Sequence, residues 1–345
     1  MHASRRNAGF TLVELLVVIA IIGIIAVVGI RQFGTLSQNQ AKKMNVSTIK
    51  HTFAALQTYD LVAENTPDRF DNFDSLVDIG NGNGPWQGTA GEYVFSGAAS
   101  AVPGIYDGSW KRLQATYDAG GNGGSVADLE TAKQRNKGIT DNLAKILGLY
   151  YLTDAEVTLL QNAGIWHLLL HNDSTAQAYG RANVSPLVVT ADGLNAEGFR
   201  LVNGGPGHRP DMSAFYPVSL TNGSPVAFVN PIAASTVYTD LGYDLGFTNN
   251  APTEAEATAA LASAGKLVCF GIGKAARCVQ AKNGIGEAPQ CNQYDRTYYR
   301  NYIAVFAVKP GARGTPGTCA LAGVLDADGN TYRAAKYNAD WTLPE

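Results

Sequence analysis

From Phe10 to Ile30 the chain is almost entirely Leu, Val, Ile, Ala and Gly. At about 1.5 Å per residue such a helix is roughly 30 Å long, the thickness of a hydrocarbon core. Its one acidic residue is Glu14, near the start of the run. Each Leu, Ile or Val favours insertion by a few tenths of a kcal/mol, against about 3 kcal/mol for a central charge, so the helix inserts. From Phe33 the chain turns polar but keeps helical spacing. Val46, Ile49, Phe53, Leu56 and Tyr59 form one apolar stripe. Nothing breaks that pattern before Asn65-Thr66-Pro67. The pattern predicts one long helix from about Phe10 to Glu64, its first half (10–30) in the membrane. Its second half (31–64) is amphipathic and lies on a globular head spanning 65–345.

Residues Asp78 to Ser125 are rich in Gly and Asn, as in Gly80-Asn81-Gly82-Asn83-Gly84-Pro85, and read as long loops around short strands such as Glu92 to Phe95. No G-x-x-x-x-G-K-[ST] occurs, so a phosphate-cradling loop loses to plain loop. Two helices follow, about 126–148 and 153–163. The second opens on a capping box, Thr153-Asp154-Ala155-Glu156. Beyond Ile165, strand signals dominate: Ile165 to Leu170, Pro186 to Thr190, Phe215 to Leu220, Val226 to Val229, Leu267 to Ile272, Ile303 to Val308 and Leu321 to Leu325. Asn222-Gly223 between two of these predicts a hairpin. The fold class expected is α+β, a long N-terminal transmembrane helix packed on an antiparallel sheet.

An acid inside an apolar helix needs either a partner or a route to the interface, where a long side chain can snorkel. A cleaved secretory signal fits poorly, because the run is too long and Gly29-Ile30-Arg31-Gln32-Phe33 offers no small-residue cleavage site. Arg5 and Arg6 precede the span, but Arg31, Lys42 and Lys43 follow it, so basic residues alone do not orient it. Gly9-Phe10-Thr11-Leu12-Val13-Glu14 resembles the prepilin signature of type IV pilins and type II secretion pseudopilins. The resemblance covers about the first tenth of the chain. It implies that residues 1–9 are a leader, that a prepilin peptidase cuts after Gly9, and that the new amine of Phe10 is methylated. It further implies that Glu14 pairs with the N-terminal amine of a neighbouring subunit. Such a pair is strong in a low-dielectric core but costly to desolvate, so it sets register more than net stability. Gly23 also matches a glycine common in that helix. Arg31 departs from the pattern, standing near where many members carry a proline. Against a small head of this family, the 126–163 helices are an insertion.

Composition narrows the options further. The chain has 345 residues, 46% hydrophobic and only 16% charged, with net charge −3. That balance offers no overall electrostatic grip on nucleic acid or anionic lipid. Cys269, Cys278, Cys291 and Cys319 all fall in a C-terminal region, about 265–320. An even, clustered set in an exported chain suggests two disulfides, with three possible pairings. Zinc is the rival, but no C-x-x-C pair and no histidine lies in the cluster.

Other candidate chemistry is sparse. His167 and His171 are four residues apart, as ligands can be, but lack the adjacent Glu of H-E-x-x-H. Asp326, Asp328 and Asn330 cluster oxygen atoms as calcium loops do. The later bidentate Glu is missing, and a turn favours the same residues. Some pseudopilins hold calcium in a C-terminal loop, so the resemblance keeps that site open; no other cofactor is expected. His208 sits in a Gly-Pro-rich loop. Tyr294, Tyr298, Tyr299 and Tyr302 interleave with Arg296 and Arg300, a pattern that contacts nucleic acid or glycan but also packs in sheets. No Ser-His-Asp set, G-x-S-x-G or paired-carboxylate site stands out, so catalysis is not expected.

The resulting expectation is a structural filament subunit, held singly in a bacterial inner membrane before assembly, with its head exported to the periplasm or cell surface. Its partners are itself, other pilin-like subunits, the prepilin peptidase and inner-membrane lipid. Glu14 favours lateral assembly over a tip-only position, while the length suits a minor subunit. The alternatives are an adhesin or DNA-capturing head on a pilin anchor, and a membrane-tethered enzyme.

Overall fold

The computed structural model describes residues 38–78, 88–95, 104–105, 139–171, 187–190, 193–199, 217–247, 252–294, 299–311 and 315–339. Gly9, Phe10, Glu14 and the apolar run 10–30 lie outside them. Among the described residues no helix is long and apolar enough to cross a membrane.

Helix α1 covers 38–62. Val46, Ile49, Leu56 and Tyr59 are buried along one face, joined by Asn45 and Thr52, while Met44, Leu61 and Val62 face outward. Each buried aliphatic on that face contributes about 2 kcal/mol. The chain leaves the helix through Pro67, which cannot continue it.

The strands are β1 (Phe73–Asp78), β2 (Tyr93–Val94), β3 (Gly104–Ile105), β4 (Leu147–Tyr151), β5 (His167–His171), β6 (Leu187–Thr190), β7 (Gly193–Phe199), β8 (Pro217–Ser219), β9 (Pro225–Val229), β10 (Lys266–Gly271), β11 (Ile303–Lys309) and β12 (Thr318–Leu325). All but β6 and β7 join one sheet that forks at β10. One edge of β10 pairs along its whole length with β11, which carries β12 outside it. The other edge is shared: Val268 and Cys269 pair with β9, and Gly271 pairs with Asp74 of β1. From β9 one arm runs to β4 and β2, and from β1 the other runs to β5 and β8. Strands β6 and β7 form a separate antiparallel pair.

The sheet is mixed rather than antiparallel as expected, because β1 and β5 run parallel. Every residue of β4, β9 and β10 is buried, Lys266 at the start of β10 included, which is why β9 and the rest of β10 read as unbroken apolar runs. The core centres on Phe70, Phe73, Phe270 and Phe306, whose rings lie 5.4–6.1 Å apart. Tyr59 of α1 adds an edge-on contact to Phe70 at 5.7 Å.

Helices α2 (Asp141–Ile146), α3 (Asp154–Asn162), α4 (Pro231–Asp240), α5 (Glu254–Ala264), α6 (Arg277–Gln280) and α7 (Tyr332–Asn338) complete the head. Thr153 and Glu156 close the expected capping box on α3. The helix expected over 126–148 is corrected at its end: α2 stops at Ile146 and the chain becomes β4, wedged between β2 and β9. The hairpin expected at Asn222-Gly223 is also corrected. The turn forms, with Ser224 N donating to Thr221 O and Gly223 at φ 78°. Its flanking strands, however, join opposite arms of the fork, β8 on β5 and β9 between β4 and β10.

Candidate functional site

Helix α1 is fastened to the rest of the described structure at two points along its apolar stripe. At its N-terminal end the lock is polar. Asn45 is buried and donates Nδ2 to Asp326 Oδ2 at 2.7 Å. Its Oδ1 accepts from Tyr302 Oη at 2.5 Å and from Cys291 Sγ at 3.6 Å. Near its other end Tyr59 meets the phenylalanine cluster, and Asp60 holds Arg69 Nε at 2.6 Å.

Asp326 closes the loop between β12 and α7. Its Oδ1 accepts from the backbone of Asp328 at 2.9 Å and of Asn330 at 2.8 Å, and from Asn330 Nδ2 at 3.2 Å. Its Oδ2 accepts from Asn45 and, at 3.1 Å, from Asn330 Nδ2. Burial raises its pKa, and these donors offset part of the rise. Both carboxylate oxygens of Asp326, one of the three residues considered as calcium ligands with Asp328 and Asn330, are thus engaged by protein donors. Asp328 lends its carbonyl to Asn142 Nδ2 at 2.8 Å. The loop is a hydrogen-bonded strand-to-helix turn, and no group of three or more His, Cys, Asp or Glu able to hold a metal occurs among the described residues.

The disulfides expected among the cysteines are not present: all four thiols are free. Cys269 lies opposite Val305 on one side of β11, and Cys319 lies opposite Val308 on the other. Two strand spacings alone place them roughly 10 Å apart, beyond the ~7 Å Cα limit of a bridge. Burial pushes Cys278 and Cys319 up to about 12 and Cys291 to about 11, and raises Cys269 as well. These thiols stay protonated and unreactive at neutral pH.

His167 is tied by Nδ1 to Asp71 Oδ2 at 2.7 Å, while Asp71 Oδ1 accepts the backbone of Trp166 and His167. It is a brace between β5 and the approach to β1. The aromatic patch is likewise structural where described. Tyr302 is in the core, and Tyr299 donates to Asp74 Oδ2 at 2.6 Å. Tyr298, Arg296 and His208 lie outside the described residues.

Two buried acids have surroundings that the sequence does not show. Asp74 is fully buried, accepts on Oδ2 from Tyr299 and from Asn301 at 3.2 Å, and has no donor on Oδ1. Burial pushes its pKa up to about 6 against those two hydrogen bonds. Gly273 must be glycine here, since a Cβ would come within 2.5 Å of that bare oxygen. Glu156, already the capping residue of α3, contacts Lys266 Nζ; their side chains are 1% and 2% exposed. Burial alone would raise the Glu156 pKa, but the Lys266 ammonium and its hydrogen bonds bring it below the ordinary range. Asp74 belongs to no motif, and the capping box that marks Glu156 does not point to Lys266; only the folded sheet brings Asp74 to Tyr299 and Glu156 to Lys266.

The comparison with known proteins bears on the N-terminal segment. Residues 4–30 match the family model of the prokaryotic N-terminal methylation motif. The chain carries the type IV pilin and pseudopilin signature. No curated protein and no solved structure matches it. The matched stretch contains Gly9, Phe10 and Glu14. The described residues that follow, 38–339, form an α+β fold.

Proposed function

We propose that the chain is a structural subunit of a type IV pilus or type II secretion pseudopilus. It is processed after Gly9, methylated on Phe10 and assembled through its N-terminal helix. The methylation motif over 4–30 is the observation that carries this reading. In the membrane the subunit is a single-pass protein with its head exported. In the filament the apolar helices pack together, and Glu14 meets the Phe10 amine of a neighbour, which sets axial register. The anchorage of α1 supports the reading, since polar contacts at Asn45 and an aromatic contact at Tyr59 hold this helix firmly on the rest of the head. The expected outcome for Glu14→Ala is normal membrane insertion with at least tenfold less subunit in sheared filaments, measured by quantitative immunoblotting. Wild-type incorporation of that variant would remove the pairing argument.

A further inference from the structure

The contact between Glu156 and Lys266 has the parts of a reaction centre. Oxygen Oε2 of Glu156 accepts three hydrogen bonds: Tyr150 Oη at 2.8 Å, Thr153 Oγ1 at 2.8 Å and Thr153 N at 3.0 Å. The other oxygen, Oε1, faces Lys266 Nζ alone among these groups. The amine is roofed by the Tyr150 ring at 4.1 Å and the Tyr93 ring at 5.6 Å. Both side chains are almost completely withdrawn from water. We propose that Lys266 Nζ and Glu156 Cδ become joined by an amide bond formed within the folded chain.

The step balances without any outside reagent. The Lys266 ammonium passes one proton to Oε1, leaving a neutral amine beside a neutral acid. Burial favours that transfer on the lysine side, because desolvation lowers its pKa. The nitrogen lone pair attacks Cδ. Negative charge develops on Oε2, where three donors already converge as in an oxyanion hole. A second proton moves from nitrogen to Oε1, the Cδ–Oε1 bond breaks, and water leaves. Fixed proximity supplies an effective concentration on the order of 10⁵–10⁸ M. The ionised pair is the more populated form, so bond formation is a slow, single event after folding. The bond ties the first turn of α3 to the start of β10, covalently closing the arm that holds β4 and β9.

Full-length protein, extracted, reduced and denatured, tests this by intact mass and tryptic mapping. The expected result is a deficit of one water, no cleavage after Lys266, and a branched peptide joining the segments that contain Glu156 and Lys266. Lys266→Arg should abolish that one-water deficit. Recovery of two separate linear peptides from the wild-type protein would overturn the proposal and leave an ordinary buried ion pair, whether or not the variant folds. A water deficit mapped to any other position would overturn it equally.

Discussion

Asp326 and Asp74 are both fully buried, yet the head treats them in opposite ways. Asp326 has donors on both oxygens, drawn from its own turn and from α1. Asp74 has donors on one oxygen only. The first carboxylate organises a loop and binds a helix to it. The second costs stability whenever it is charged. Burial alone therefore does not tell whether an acid holds a fold together; the count of its donors does.

The largest test of that contrast is Asp326→Ala. It strands Asn45 Nδ2 and two backbone N–H groups, and should destabilise the head by about 3 kcal/mol. Denaturant titration of the full chain in detergent measures this; a loss under 0.5 kcal/mol, roughly the surface-substitution range, would break the comparison.

Asp74→Asn should act in the other direction. The folded pKa of about 6 lies above the unfolded value of roughly 3.9. The folded state therefore binds the extra proton. The wild-type head is favoured below about pH 4 and loses stability as pH rises through 6, by up to about 3 kcal/mol. The amide keeps an acceptor for Tyr299 and Asn301, so it should gain about 2 kcal/mol at pH 7. Below about pH 4 it should differ little from the acid. Stability curves of both proteins between pH 4 and 7 check the sign. Parallel curves would show that Asp74 does not titrate as described.

The smallest expected effect concerns the thiols. Unfolding the protein without reductant should release all four to a thiol reagent, and reductant should leave the denaturation midpoint unchanged. Two missing thiols would reveal a bridge and sharpen the account of the C-terminal region.

Much of this architecture was legible in the chain. The strands near 187–190, 225–229, 266–271 and 303–309 announce themselves as short apolar runs, and the stripe of α1 by its spacing. Strand β1 did not. Its Asp74 and Ser75 are polar yet buried, and Asn72 and Leu76 take φ of 63° and 57°, so neither alternation nor a turn residue marks it. Helix α5 was readable: Thr253 and Glu256 close a capping box ahead of an alanine-rich run, lost among neighbouring strand signals. The pairing of Glu156 with Lys266 and the anchoring of Asn45 by Asp326 were not readable. They join residues 110 and 281 positions apart, which no local pattern encodes.

That distance has a consequence for biogenesis. The forked sheet closes only when β10 arrives between β9, β1 and β11, and the cradle for Asn45 exists only after residue 330 has been made. During synthesis the greasy side of α1 stays uncovered while most of the polypeptide is still being added. High contact order of this kind slows folding. The apolar stripe that anchors α1 is therefore among the last surfaces of the head to be covered.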